Sequence, residues 1–166
     1  MTETLAIAPV RKSIEVELTP LDAFQLFISD MAAWWPATHN IASSPFVEIV
    51  IEPRAGGGWF EVAEDGSTSQ WGSVLEWDPP HKVVFAWGLQ ADWKFSPDLS
   101  KSSEVEVRFV PMGDSATLVE FEHRRLERHE AGDRIAASVK MGWDTVLAGF
   151  RTLAEQRSRN RAATGK

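Results

Sequence analysis

Histidine is the side chain best suited to acid–base chemistry near neutral pH, and the chain has four of them: His39, His81, His123 and His129. None falls at a metal-ligand spacing, because there is no His-Glu-x-x-His segment and no cysteine. His81 follows two prolines and His129 precedes the last predicted helix, so we expect both to be exposed. We therefore expect no metal site and no cofactor, and two histidines are left as candidates.

His123 ends a segment that alternates between two faces. Thr117, Val119 and Phe121 share its face, because successive side chains of a strand point to opposite sides. If Val119 and Phe121 face the interior of the fold, His123 lies at the rim of a cavity there. It is then either a histidine with satisfied hydrogen bonds or a catalytic base.

Three further polar residues are candidates for contact with a ligand. His39 follows a Trp-Trp-Pro segment, where it either orients a ligand or caps a turn. Arg54 and Glu61 form either an ion pair beside the interior, with Arg54 clamping a ligand carboxylate, or an exposed pair of little energetic value. His123, His39 and Glu61 are the acid–base candidates if the protein is an enzyme. Sequence order alone assembles no catalytic arrangement from them, so the catalytic residues stay unassigned.

The aromatic composition is biased, with eight tryptophans, nine phenylalanines and no tyrosine. A buried aromatic side chain covers about 150–250 Å² of surface, and each indole also carries one N–H donor. Such rings either fill the core or line a mostly apolar cavity. Trp59 and Trp77 end strands and are predicted to pack at the ends of the sheet. The tryptophans that we predict as cavity candidates are Trp35, Trp71, Trp87, Trp93 and Trp143, the last of which is most simply a core residue.

A long helix at residues 133–157 is the main element predicted to position these side chains. Its apolar residues recur at steps of three and four, which places them on one stripe of a helix. They are Ile135, Val139, Trp143, Val146, Phe150 and Leu153. At 1.5 Å per residue the helix is about 37 Å long, enough to lie across a whole sheet.

The strands are predicted from alternation and from turn signals. A strand at residues 10–18 precedes a helix that begins at Thr19-Pro20, where threonine caps and proline opens the helix. The other predicted strands cover residues 46–52, 59–64, 70–77, 82–88, 104–110 and 117–124. The glycine run at 56–58 leads into a strand, so we interpret it as a turn and not as a phosphate loop. A run of strands with segregated helices is typical of an α+β domain.

Composition and charge restrict the partners. The 166 residues suit a single domain, predicted at 10–157 between a flexible N-terminus at 1–9 and a flexible basic tail at 158–166. The formal charge of −7 argues against a nucleic acid or a membrane surface as partner. No segment approaches the roughly 20 apolar residues of a membrane helix, and no signal peptide is visible. With no cysteine present, we expect a cytoplasmic protein.

Several segments, in the same order, resemble one branch of the START-like (SRPBCC) superfamily. They lie at residues 34–41, 52–59, 64–66, 71–74, 79–80, 103–109, 120–123 and 142–143. The branch comprises bacterial proteins similar to the C-terminal domain of the activator of Hsp90 ATPase, and the resemblance extends from about Arg11 to Leu153. It implies a helix-grip (Bet v 1-like) fold. In this fold an antiparallel sheet of six to seven strands curves around a long C-terminal helix, with two short helices after strand 1 and a cavity between sheet and helix.

The resemblance and the ring-rich interior favour a protein that binds a small hydrophobic or aromatic molecule, as a monomer or a homodimer. The superfamily includes lipid carriers, aromatic-polyketide cyclases and plant hormone-binding proteins, so the fold alone does not choose the activity. Two alternatives stay open. One is an interaction module that acts as a chaperone cofactor or in a stress response, and the other is a cyclase- or hydrolase-type enzyme that uses the cavity.

Overall fold

One antiparallel sheet and one long helix account for most of the computed structural model, which describes residues 7–36, 44–90, 92, 94–129 and 131–164. Within these residues seven strands lie in the order β1-β7-β6-β5-β4-β3-β2. The strands are β1 (Val10–Val16), β2 (Phe46–Ile51), β3 (Gly58–Ala63), β4 (Thr68–Asp78), β5 (Lys82–Trp87), β6 (Ser103–Pro111) and β7 (Thr117–Arg124). The helices are α1 (Pro20–Ser29), α2 (Met31–Trp34) and α3 (Gly132–Thr164). The predicted helix-grip fold is therefore confirmed.

The two short helices begin where the sequence predicts them. Thr19 caps α1, because its Oγ1 accepts a hydrogen bond from the Asp22 amide at 3.2 Å, and Pro20 occupies the first turn. In α2 the indole N–H of Trp34 donates to the Leu26 carbonyl at 3.0 Å, which ties α2 back to α1. The chain leaves α2 at Trp35, whose extended backbone ends the helix.

Helix α3 spans 33 residues and is about 50 Å long. It continues to Thr164, beyond the predicted end at Arg157, so a helix covers most of the predicted flexible tail. Five of the six predicted stripe residues are buried, and Leu153 is partly buried. Their side chains pack on the inner face of the curved sheet and on α1 and α2. Within the described residues, no helix is both long and apolar enough to pass through a lipid bilayer.

The pairing register between β3 and β4 shifts beside Trp59, as it does at a β-bulge. At this place a Cβ on Gly72 would lie 1.8 Å from the Ala86 carbonyl oxygen of β5, so only glycine fits. This close approach brings the inward faces of β3, β4 and β5 together. Trp71 of β4 and Trp87 of β5 both contact the ring of Trp59 of β3.

The outer face of the sheet is charged, as the alternation of β6 predicts. Arg124 donates to the carboxylates of Glu104, Glu106 and Glu122, each at 3.1 Å. Arg11 continues this row across β7 and β1 through a 2.7 Å bond to Glu122. The outer face is therefore solvated, and the inner face carries the candidate site.

Candidate functional site

Five tryptophans meet on the inner side of the sheet, and we call them the indole cluster: Trp35, Trp59, Trp71, Trp87 and Trp143. Each is at most 7% exposed, and neighbouring ring centroids lie 4.8–6.4 Å apart in edge-on or tilted contacts. Four of them were cavity candidates from the sequence. Trp59 was predicted at a sheet end, and this prediction is wrong because Trp59 touches three other members of the cluster.

The indole N–H of Trp59 is the one buried side-chain donor or acceptor without a hydrogen-bond partner in the described part of the chain. The residue is 1% exposed and packs against Phe85 at 4.6 Å as well as against the other indoles. Leaving such a donor unpaired costs about 1–3 kcal/mol. Native proteins rarely leave such a donor unpaired, so an acceptor from beyond the described residues is expected.

A carboxylate lies in the same interior. Glu61 is completely buried, and its Oε1 accepts a hydrogen bond from the indole N–H of Trp71 at 2.9 Å. It shares the inward face of β3 with Trp59, two residues before it. The predicted pairing of Glu61 with Arg54 is wrong. Arg54 is exposed in the turn before β3, and its Nη2 lies 3.7 Å from Glu52 Oε2.

A chain of hydrogen bonds leads from the indole cluster to the end of the fold. The Trp143 N–H donates to His123 Nδ1 at 3.0 Å, and His123 Nε2 lies 2.6 Å from Ser103 Oγ. Ser103 Oγ also lies 2.7 Å from His129 Nε2, and His129 Nδ1 lies 3.1 Å from Gln90 Oε1. Three side chains, those of His123, Ser103 and His129, thus connect Trp143 to Gln90 through four hydrogen bonds.

The donors at one end determine the direction of every bond in this chain. An indole nitrogen only donates, so His123 accepts at Nδ1 and, when neutral, donates from Nε2 to Ser103. The Ser103 hydroxyl then donates to His129 Nε2, which also accepts from the Ser103 amide at 3.2 Å. His129 is left with its proton on Nδ1, which donates to Gln90. All nitrogens of both rings are used, and one tautomer of each ring satisfies the whole chain.

Both histidines are held neutral. Burial lowers the pKa of His123 to about 3, with a smaller contribution from the charge of His129. Burial likewise lowers the pKa of His129 to about 4. His123 is therefore fully buried with satisfied hydrogen bonds and does not lie at a rim. The prediction that His129 is exposed is wrong, since it is 4% exposed, whereas His81 is exposed as predicted.

Three residues of the site were missed or misplaced from the sequence. Ser103 is in phase with Val105 and Val107 on the inward face of β6, so the alternation contained a signal for it. Trp59 is in phase with Glu61 on β3 in the same way. No local signal pointed to His129, because its partner Ser103 is 26 residues away in sequence.

A cavity of about 150 Å³ adjoins the indole cluster at the first turns of α3. Its lining residues are Trp87, Leu89, Gln90, Arg134, Ile135, Ser138 and Val139. Two predicted cavity candidates, His39 and Trp93, lie outside the described residues. The site therefore consists of the indole cluster, the buried Glu61, the histidine chain and this adjoining cavity.

Comparison with known proteins identifies the family. A family profile described as Activator of Hsp90 ATPase homolog 1-like protein matches residues 17–155. The chain is 34% identical to an anthrahydroquino-γ-pyrone synthase, Txn09, whose structure is complexed with SUM. That similarity covers 89% of this chain and 97% of the synthase, with a TM-score of 0.62. This chain is also 26% identical to CalC, a self-sacrificing resistance protein from Micromonospora echinospora. That similarity covers 90% of this chain and 95% of CalC, with a TM-score of 0.67.

One curated relative is much longer than this chain. It comes from Sodalis glossinidius (strain morsitans) and is named tRNA (guanine-N(7)-)-methyltransferase. The two sequences are 32% identical over 127 residues, which is 75% of this chain and 41% of that protein. The chain therefore spans less than half the length of this relative.

Proposed function

This chain belongs to the Activator of Hsp90 ATPase homolog 1-like family, and we propose that it binds a small aromatic molecule bearing a hydrogen-bond acceptor within the indole cluster. The observation that carries the proposal is the buried, unpartnered N–H of Trp59. An acceptor on the ligand, such as a carbonyl oxygen, would satisfy this donor. A purely hydrocarbon ligand would leave it unpaired.

The surroundings of Trp59 support an aromatic ligand in particular. Indole rings favour edge-on and offset contacts with other rings at centroid distances of about 4.5–7 Å, and the cluster presents five such rings. The neighbouring rings are already at contact distance, between 4.6 and 6.4 Å from Trp59. A ligand that reaches the N–H must therefore move at least one of them. Binding should change tryptophan spectra directly.

One relative supports a ligand with several rings and oxygens. The name of the synthase at 34% identity joins an anthrahydroquinone to a γ-pyrone, which is a polycyclic aromatic skeleton with ring and carbonyl oxygens. CalC is named as a resistance protein, which is a different activity on the same fold. We infer the class of ligand from the synthase and not the identity of the physiological molecule.

Xanthone and xanthene test the proposal as a matched pair of probes. Both are flat and tricyclic, but only xanthone carries the carbonyl of a γ-pyrone. We expect xanthone to shift the indole N–H resonance of Trp59 in an NMR titration. We expect Trp59→Phe to weaken xanthone binding by about fivefold, since a hydrogen bond contributes on the order of 1 kcal/mol.

Trp77→Phe is the matched control, because Trp77 is partly buried and contacts Phe24 outside the cluster. It should leave the affinity for xanthone unchanged. Equal affinity of the wild-type protein for xanthone and xanthene, or an equal effect of the two substitutions, would contradict the proposal.

A second candidate function is catalysis by Glu61. The carboxylate is fully buried beside Trp59 and Trp71, and the similarity to a synthase favours a reaction in this interior. A buried carboxylate next to a bound phenol can take its proton, so that the phenolate oxygen attacks an enone carbon. The new C–O bond closes a pyranone ring while the C=C electron pair shifts into an enolate, and Glu61 then returns the proton to the carbon beside the carbonyl. His123 is less suited to this step, because both of its nitrogens are engaged.

Ring closure of 2′-hydroxychalcone to flavanone is a probe for this second candidate. We expect the wild-type protein to accelerate the closure and Glu61→Gln to remove the acceleration while binding of xanthone is kept. Equal rates for the wild-type protein, Glu61→Gln and buffer would exclude the reaction and leave the binding function standing. The chaperone-cofactor hypothesis rests on the family description and stays a prediction, checked by the ATPase rate of an Hsp90 homologue.

A further inference from the structure

The cavity of about 150 Å³ between the end of β5 and the first turns of α3 is apolar at its base and polar at its rim. Trp87 and Leu89 form one wall, and Val139 of α3 faces them together with Ile135. All four are nearly buried. An apolar cavity of about this volume holds one benzene ring. The base therefore fits a single aromatic ring.

Gln90 at the rim is fixed in place and supplies no free donor. Its Oε1 accepts the proton of His129 Nδ1, and its Nε2 donates to the carbonyls of Gly88 and Lys101, each at 3.0 Å. The amide is thus fully used by the protein. It gives the cavity a rigid wall but does not bind a charged group.

Arg134 is the rim residue that is available to a ligand. Its guanidinium is exposed and makes no ion pair or side-chain hydrogen bond within the described residues. The arginines nearer the sheet are paired, as Arg128 is with Glu104 at 3.3 Å and Arg124 with three glutamates. Arg134 also lies in the first turn of α3, where the helix dipole favours an anion.

We propose that this cavity binds a monocyclic aromatic carboxylate, with its ring between Trp87 and Val139 and its carboxylate on Arg134. A planar guanidinium binds a carboxylate through two parallel hydrogen bonds, and Ser138 at the rim can add a hydroxyl. The protein as a whole repels anions, since its formal charge is −7 and Asp133 is the neighbour of Arg134. Selective binding of an anion therefore requires the unpaired arginine.

Benzoate and benzamide, which have the same ring and differ in charge, test this site in the full-length protein. We expect benzoate to bind more tightly than benzamide and to lose affinity as salt is added, because salt screens a partly exposed charge pair. Arg134→Gln should weaken benzoate by about tenfold and change benzamide by less than about twofold, since it removes a charge-assisted pair and leaves the ring contacts.

Lys140→Gln is the matched control, because it removes one exposed positive charge from the same helix away from the cavity. It should leave benzoate binding unchanged. Val139→Phe, which fills the base of the cavity, should abolish the binding of both probes in a protein shown to be folded by circular dichroism. Equal effects of Arg134→Gln and Lys140→Gln, or undiminished benzoate binding in folded Val139→Phe, would overturn the proposal.

This inference does not rest on the function proposed for the indole cluster, and the two can fail separately. Trp59→Phe should leave benzoate binding unchanged, and Arg134→Gln should leave xanthone binding unchanged. Loss of xanthone binding with benzoate binding retained would remove only the first site. The reverse result would remove only the second.

Discussion

The interior has two ends that differ in their rings. One end is a phenyl cluster, formed by Phe24, Phe27, Phe85, Phe109 and Phe150 with centroids 5.2–6.5 Å apart. The other is the indole cluster. A phenyl ring fills space and requires nothing else, whereas each indole needs an acceptor for its N–H. The phenyl end therefore stabilises the fold, and the indole end contains the buried Glu61 and His123 and the unpaired donor.

The indole N–H groups of the cluster differ in whether they have a hydrogen-bond acceptor. Trp71 donates to Glu61, and Trp143 donates to His123. Trp59 donates to no residue of the described chain. Stability and ligand binding should therefore respond to different substitutions in one continuous core.

The largest effect is expected at the phenyl end. Phe27 is 2% exposed and contacts Trp34, Phe85, Phe109 and Phe150. Phe27→Ala should lower the free energy of unfolding by about 3–5 kcal/mol, because it leaves a cavity among these rings. Urea unfolding measures this. Leu21→Ala on the same helix, at a residue 50% exposed, should change the free energy by about 0.5 kcal/mol or less. Similar losses of unfolding free energy at Phe27 and Leu21 would contradict the stabilising role of the phenyl cluster.

The next effect concerns pH and belongs to the indole end. His123 has a pKa near 6.5 when unfolded and about 3 when folded. The unfolded chain therefore binds more protons than the folded protein between these pH values. The contribution of neutral His123 to the free energy of unfolding is complete above about pH 6.5 and is lost as the pH falls. Between about pH 7 and pH 5 this residue alone should cost about 2 kcal/mol.

Two histidine variants identify the source of that pH dependence. His123→Asn should reduce the loss of unfolding free energy between neutral and mildly acidic pH by about half, because buried His129 contributes to the loss in the same range. Urea unfolding at each pH measures the loss. His81→Asn, at an exposed histidine, should leave the slope as in the wild-type protein. An unchanged slope in His123→Asn would contradict the assignment of a neutral ring to this residue.

A smaller effect separates two indoles of the same cluster. Trp71→Phe removes the donor to the buried Glu61 and should cost about 1–3 kcal/mol beyond the lost contacts. Trp59→Phe removes a donor that has no partner in the described chain, so it should cost less by about that amount. Urea unfolding of the two variants without ligand gives the difference. Equal losses would mean that Trp59 has an acceptor, such as bound water.

The smallest effects distinguish two glycines of α3. A Cβ on Gly149 would lie 2.4 Å from the Trp34 carbonyl oxygen, whereas one on Gly142 meets no atom within 4 Å. Gly142→Ala should stabilise the protein by about 1 kcal/mol through helix propensity, and Gly149→Ala should destabilise it by about 1–2 kcal/mol through crowding. Thermal unfolding measures both. Stabilisation by Gly149→Ala would show that α2 moves away easily.

The sequence predicts the elements well because their signals are local. Alternation and turn residues place β7 at residues 117–124 and the other strands within about two residues at nearly every end. The cap at Thr19 predicts the start of α1. The family resemblance adds the way in which sheet and helix combine, and the profile match over residues 17–155 confirms it.

The site was only partly predictable, because it depends on contacts between distant residues. Four of five indoles were identified, but Trp59 was assigned to a sheet end, since its ring contacts come from neighbouring strands and have no local signal in sequence. Arg54 and Glu61 looked like an ion pair, although one lies in an exposed turn and the other on an inward face. His129 appeared exposed because its partners come from β6 and from Gln90.

Phe85 belongs to both ends of the interior. Its ring lies 4.6 Å from Trp59 and 6.5 Å from Phe27. A ligand that displaces Trp59 should therefore also shift Phe85, and through it Phe27 on helix α1. We therefore expect ligand binding near Trp59 to change the rate at which the Phe27 ring flips, measured by NMR relaxation. Ring dynamics in the phenyl cluster would then report whether the indole cluster holds a ligand.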